Sequence, residues 1–385
     1  MHRLFIACTL LCPLLLACKA HPPSDRARVH HEKALAWLDR LQYDPVISEE
    51  TTALTLDDRF ADAYAVRGLA YAKTNRYDEA IADETRALAL APGLFLAYYA
   101  RGLAYAGKGD HEQATADYSS ALRVDPDRAE VYYSRGISLA ARGLLDPAIE
   151  DYTKAITLNP HFGAAYYSRG VALGHKGRYD LAIQDETKAI ELDFATAEVY
   201  SSRGAAFLRQ GLNRNAIEDY TKAIELSPGL FEAYYNRAIA HSRQGDDDRA
   251  IEDYSKALEI NPRSTEAYSN RGSAHIRKGS YDKAIADYTK AIELSPGLFE
   301  AYYNRAIAHS RQGDDDRAIE DYSRALEINP RFAEAYANRG SARLRRGHYD
   351  QAIKDMELSC RLGFAPACER VRLKTSQEGG SQGPR

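Results

Sequence analysis

The sequence predicts an all-α solenoid of about ten helix–turn–helix units, each of 34 residues. Three observations predict it. A tyrosine recurs every 34 residues at Tyr64, Tyr98, Tyr132, Tyr166, Tyr200, Tyr234, Tyr268, Tyr302 and Tyr336. Four residues after each stands Gly68, Gly102, Gly136, Gly170, Gly204, Gly272 or Gly340, with Ala238 and Ala306 in the remaining two units. Turn residues recur twice per period, at a mid-unit glycine (Gly211, Gly245, Gly279, Gly313, Gly347) and at a proline near most unit ends. A fixed period of this length, with no insertion or deletion from Ala27 to Pro366, marks stacked supersecondary units.

Counting Ala61 as place 1, each element has a physical reason. Tyrosine at place 4 carries a large ring with a polar tip, suited to sealing one helix on another. The small residue at place 8 lets two backbones approach, where leucine would overpack the contact by roughly 1–3 kcal/mol. The mid-unit glycine suits the C′ position that ends the first helix. Alanines at places 20 and 27 repeat along a second helix, and a proline (Pro92, Pro126, Pro160, Pro228, Pro262, Pro296, Pro330, Pro366) stops it or starts the next. Neither helix can bury its apolar face alone, so neighbouring units must stack. Arg67 and its equivalents at place 7, with Asp83 and its equivalents at place 23, recur in nine units and are expected to tie helices together.

These residues resemble the tetratricopeptide repeat family over nearly nine-tenths of the chain. The resemblance implies a right-handed superhelix whose inner wall is the first helix of every unit. It places units at 61–94, 95–128, 129–162, 163–196, 197–230, 231–264, 265–298, 299–332 and 333–366. The stretch Tyr43 to Leu54 matches Tyr77 to Leu88, which adds a degenerate first unit, 27–60, with Trp37 in an aromatic slot. The polar segment 367–374 reads as the capping helix that solenoids need, and the Gly/Ser/Gln-rich 375–385 as a disordered tail. Residues 216–263 recur at 284–331 with only Glu218/Ala286 and Lys256/Arg324 differing, a two-unit duplication.

The amino terminus reads as an export signal: His2 and Arg3 precede an apolar run, Leu4 to Leu16, too short to span a bilayer. Leu15-Leu16-Ala17-Cys18 resembles the lipobox of bacterial lipoproteins. That resemblance implies a signal peptide over 1–17, lipidation at Cys18, a tether over 18–26, and an outer-membrane lipoprotein facing the periplasm. The alternative is ordinary secretory cleavage near Ala20. Of five cysteines, only Cys360 and Cys368 would then remain, a candidate disulfide across a helix corner. A similar spacing occurs in disulfide-bearing relatives of this repeat class; the alternative is two reduced, buried thiols. Net charge is −4 with both signs interspersed, so no basic stripe argues for nucleic acid.

Places 2, 6, 9 and 13 share one face of the first helix, apart from packing places 4, 8 and 11. Read as groove lining, they change along the array. Place 6 is Asn236, Asn270, Asn304 and Asn338 in the last four units but Val66, Ala100, Ser134, Ser168 and Ser202 earlier. Place 13 is Arg209, Arg243, Arg277, Arg311 and Arg345 over the last five, and place 2 there is glutamate. An amide can donate to and accept from an extended backbone, and arginine prefers carboxylates. The expected peptide-binding groove is therefore 231–366, with an arginine rim from Arg209. The competing reading is a solvated polar face. His241, His275 and His309 stand at place 11, about one helix diameter apart, too far to share a metal.

No phosphate loop, nucleophile elbow or metal-spaced cluster stands outside the register, so neither a catalytic site nor a cofactor is expected. The reading that follows is a non-catalytic scaffold for peptide or protein partners, reaching the membrane through the lipid only. The alternatives are a regulatory or self-assembling subunit of an envelope machine, such as a pilus, secretion or cell-wall complex, and an enzyme-associated domain.

Overall fold

The computed structural model describes residues 23–370. The expected signal peptide, Cys18, residues 371–374 of the cap and the tail 375–385 lie outside them. Twenty helices follow in antiparallel pairs: α1 (Asp25–Leu38) with α2 (Tyr43–Leu56), α3 (Ala61–Lys73) with α4 (Tyr77–Leu90), α5 (Phe95–Gly107) with α6 (His111–Val124), α7 (Ala129–Ala141) with α8 (Leu145–Leu158), α9 (Gly163–His175) with α10 (Tyr179–Glu191), α11 (Ala197–Arg209) with α12 (Asn213–Leu226), α13 (Phe231–Arg243) with α14 (Asp247–Ile260), α15 (Thr265–Arg277) with α16 (Tyr281–Leu294), α17 (Phe299–Gln312) with α18 (Asp315–Ile328), and α19 (Ala333–Arg345) with α20 (Tyr349–Arg361). No strand occurs among the described residues. Helix α1 opens at Asp25 behind Ser24, whose hydroxyl caps the Ala27 amide, so Asp25 and Arg26 of the expected tether are helical.

Each turn between paired helices needs one left-handed residue. Gly109, Gly211 and Gly313 supply it with φ of 81°, 78° and 85°, while Asn75 and Leu41 adopt it at 62° and 55° without glycine's freedom. Inside a pair, the residue at place 24 of the second helix lies over the small residue at place 8 of the first. A Cβ on Gly102 would stand 2.6 Å from the Tyr118 ring, and one on Gly136 equally close to Tyr152. Six units fill the slot with a tyrosine, and the last fills it with Met356. Glu50, Glu84 and Glu186 occupy the same slot and are 0–1 % exposed.

The recurrent arginine and aspartate do tie helices. In every one of nine units the place-7 guanidinium forks onto the place-23 carboxylate, as Arg305 Nε and Nη2 do on Asp321 at 2.8 Å each. Arg305 Nη1 also donates to a hydroxyl on the second helix of the preceding repeat, Thr289 at 2.9 Å, and Arg67, Arg101, Arg135, Arg169, Arg237, Arg271 and Arg339 do likewise. The flat face of Arg305 lies 5.7 Å from the Tyr302 ring. One side chain thus joins three helices, which is why arginine rather than lysine repeats here.

The described chain forms two compact units, one ending at Ala195 and one starting at Thr196. The last helix pair of each closes on phenylalanine at place 32, where most other repeats have proline: Leu192-Asp193-Phe194-Ala195 in the first, and Leu362-Gly363-Phe364-Ala365 in the second, where Pro366 comes two places later. Asp193 and Gly363 are left-handed, φ 61° and 94°. Phe194 then folds back to 6.0 Å from the Tyr167 ring and joins the cluster of Tyr133, Ala164 and Ala165. Phe364 packs on Ala337, Met356 and Ala367. Residues 365–370 are helical, so the cap begins two residues earlier than the sequence suggested. The Cys360 and Cys368 sulfurs are bonded at 2.00 Å, pinning that cap to α20.

Candidate peptide-binding face

The first-helix faces of the two units differ in kind. In the first unit the place-6 residues Val66 and Ala100 are 2 % and 0 % exposed. They pack with Ala34, Leu38, Leu69, Ala70, Leu96 and Leu103, so α1, α3 and α5 share one apolar cluster. These two do not line a groove. Small residues on α3 and α5 let the helices close on each other, and burial of Val66 follows.

In the second unit the place-6 asparagines are partly buried and the place-13 arginines exposed, but neither row is uniform. Asn270 Nδ2 donates to Tyr235 Oη at 3.0 Å, and Asn338 Nδ2 to Tyr303 Oη at 2.9 Å. Each tyrosine sits at place 5 of the preceding unit, where a partly buried hydroxyl needs a partner. Asn236 and Asn304 follow units with Ser201 and Ser269 at that place. Their amides make no hydrogen bond among the described residues.

The arginines divide along the same units. Arg277 holds Asp247 through Nε at 3.0 Å and Nη2 at 2.6 Å, and Nη2 also reaches Ser242 Oγ at 2.6 Å. Arg345 repeats this on Asp315, at 2.8 and 2.7 Å, and on Ser310 at 2.6 Å. The ion pair holds the Asp315 carboxyl below its usual range and raises Arg345. Arg243 Nη1 donates to Leu208 O at 2.8 Å. Arg209 and Arg311 make no hydrogen bond or ion pair among the described residues. The expected arginine rim is thus partly spent inside the fold. Glu232, Glu266, Glu300 and Glu334 are exposed in the first helical turns, and the arginines lie in the last, so part of this charge order suits the helix dipoles alone.

Below this face, His241, His275 and His309 are 6–7 % exposed. Each Nε2 stands 3.9 Å from the aspartate already forked by arginine, Asp253, Asp287 or Asp321, and each buried Nδ1 lacks a partner. Burial lowers all three imidazoles below their ordinary range. They are core residues in an aromatic slot. Among the described residues no group of His, Cys, Asp and Glu could hold a metal.

Four family models match this chain. A TPR repeat model matches residues 213–245 and 272–313, and tetratricopeptide repeat models match 231–264 with 299–332, 51–94 with 99–161, and 151–184 with 322–354. The chain belongs to the tetratricopeptide repeat family. No curated protein matches the sequence. Among solved tetratricopeptide structures, YrrB, described as a TPR protein with an unusual peptide-binding site, is 23 % identical over 48 % of this chain and 95 % of its own, TM-score 0.45. MamA is 29 % identical over 45 % and 94 %, TM-score 0.42. A tetratricopeptide repeat protein from Parabacteroides merdae is 21 % identical over 64 % and 98 %, TM-score 0.47. The tetratricopeptide scaffold is a fold typical of protein–protein interaction.

The sequence reading missed the place-5 residue. Its signal is present: a tyrosine at place 5 predicts that the polar residue 35 positions later is already engaged, and a serine there predicts that it is not.

Proposed function

We propose that this protein is a non-catalytic scaffold that holds peptide segments of partner proteins on the first-helix face of residues 196–370. One observation carries the proposal. Asn236 and Asn304 present side-chain amides at the places that hydrogen-bond tyrosine in the neighbouring units, yet they make no bond of their own. An amide in that position can pair with the backbone of an extended chain whatever its side chains. Arg209 and Arg311 add cationic groups for carboxylates along the edge. The lipobox-like Leu15 to Cys18 and the cysteine pair support placement in the bacterial envelope, anchored through lipid on Cys18.

The two halves of the proposal are tested separately. Partners crosslinked to the wild-type protein in cells are compared with those of a chain carrying Asn236→Ala and Asn304→Ala. Loss of a discrete set is expected, and identical profiles refute the face assignment. Metabolic labelling with an alkynyl fatty acid is expected to mark the wild type and not Cys18→Ala; equal labelling refutes the anchor.

A further inference from the structure

The second unit contains its candidate binding station twice. Residues 216–263 and 284–331 differ only at Glu218/Ala286 and Lys256/Arg324. All four of these residues are exposed on second helices, so neither exchange touches the first-helix face. On α13 the station comprises Glu232, Asn236, Ile239 and Arg243. On α17 it comprises Glu300, Asn304, Ile307 and Arg311. Ser201 and Ser269 precede them at place 5, and the buried Ser269 Oγ has no partner. Between the stations, α15 contributes an engaged Asn270 and an engaged Arg277, and Ser273 Oγ, in hydrogen bond with Tyr288 Oη at 2.8 Å, replaces the isoleucine. Helix α15 is therefore silent, and the free groups recur on every second first helix.

We propose that the partner of this unit carries one short recognition element twice in tandem, read by equivalent stations at Asn236 and Asn304. This rests on the peptide-binding reading above and adds the partner's chemistry. Neighbouring helices pack about 8–10 Å apart, so the stations are separated by about 20 Å, or about six residues of extended chain. An extended chain held at its backbone by the asparagine turns successive side chains to opposite edges. One edge offers Glu232 or Glu300, and the other offers Arg243 or Arg311. The fitting element is an adjacent pair of opposite charges, a basic residue beside an acidic one, recurring about six residues on. The stations differ in one respect: Arg243 spends one nitrogen on Leu208 O, whereas Arg311 spends none.

The test begins with selection from a phage-displayed library of random peptides about sixteen residues long, long enough to span both stations, on the full mature chain. The enriched peptide is then synthesised and its affinity and stoichiometry measured by calorimetry. Enriched sequences are expected to carry the charged pair twice at the stated offset. Asn236→Ala and Asn304→Ala should each weaken binding by a similar factor, about tenfold for one lost hydrogen bond to a peptide group. A peptide cut to one element should bind at two per chain. Asn270→Ala should leave affinity within about twofold, because its amide serves Tyr235. Enrichment of single-element peptides binding one per chain, with one station carrying the whole loss, overturns the tandem proposal while leaving the binding face standing. No enrichment relative to the Asn236→Ala/Asn304→Ala chain removes both. Neither asparagine makes a bond within the fold, so unchanged circular dichroism of the variants separates lost binding from lost structure.

Discussion

Replacing Glu84 by methionine should stabilise the first unit, and by an amount that depends on pH. Glu84 fills the slot beneath Gly68 that six other units fill with tyrosine. It is fully buried, and neither carboxylate oxygen has a hydrogen-bond partner. Burial pushes its carboxyl well above the ordinary range; Asp83 and Asp117 add to the rise and Arg101 opposes it. Met356 fills the same slot over Gly340 in the last unit, so the thioether is known to fit. An unsatisfied buried polar group costs about 1–3 kcal/mol, so replacing this one carboxyl should gain about 1–3 kcal/mol at pH 8. For a unit of this size that is about 2–12 °C in melting temperature.

The folded carboxyl binds its proton more tightly than the unfolded one. Its contribution to stability is therefore present below the unfolded value of 4.5 and is lost as pH rises through the folded one. The gain from methionine should accordingly shrink towards pH 5. Thermal unfolding of the full chain, followed by hydrogen exchange at α3 to α6, reads the effect. A variant that melts no higher than wild type at pH 8, or a gain that is the same at pH 5, refutes the reasoning.

Three further outcomes follow from the same contacts. Arg305→Ala strips Asp321 of both partners of its fork and leaves a carboxylate only 10 % exposed, so urea unfolding should show a loss of about 3 kcal/mol, with Arg305→Lys recovering only part. His241, His275 and His309 have lowered folded values, so their contribution is present above the unfolded 6.5 and lost as pH falls through the folded values. Acidification from pH 8 to 5 should therefore loosen α13 to α18 while the Glu84 contribution grows in α3 to α6, and hydrogen exchange on the two segments should move in opposite directions. Reducing Cys360–Cys368 reopens a short loop and should cost about 2 kcal/mol locally, seen as faster exchange in α20 and the helix at 365–370 with the rest of the chain unchanged.

Within one unit nearly everything was legible before any coordinate. The left-handed glycine, the small residue at place 8 and the Arg–Asp fork each act inside a single helix pair and recur, so their chemistry reads directly from the period. The candidate face was legible only in outline. Asn236, Asn270, Asn304 and Asn338 look alike along the sequence, as do the five arginines. Two of the asparagines turned out to serve Tyr235 and Tyr303, and two of the arginines to serve Asp247 and Asp315. Val66 and Ala100 shared the place of the asparagines but went into the core.

The sequence by itself determined the helix pairs, their turns and the links that repeat, because those depend on residues within one period. Only the tertiary structure decided which polar groups are left over for a partner. That depends on what the preceding unit offers: 35 residues earlier a tyrosine hydroxyl engages the asparagine and a serine leaves it unbonded, and 30 residues earlier an aspartate engages the arginine.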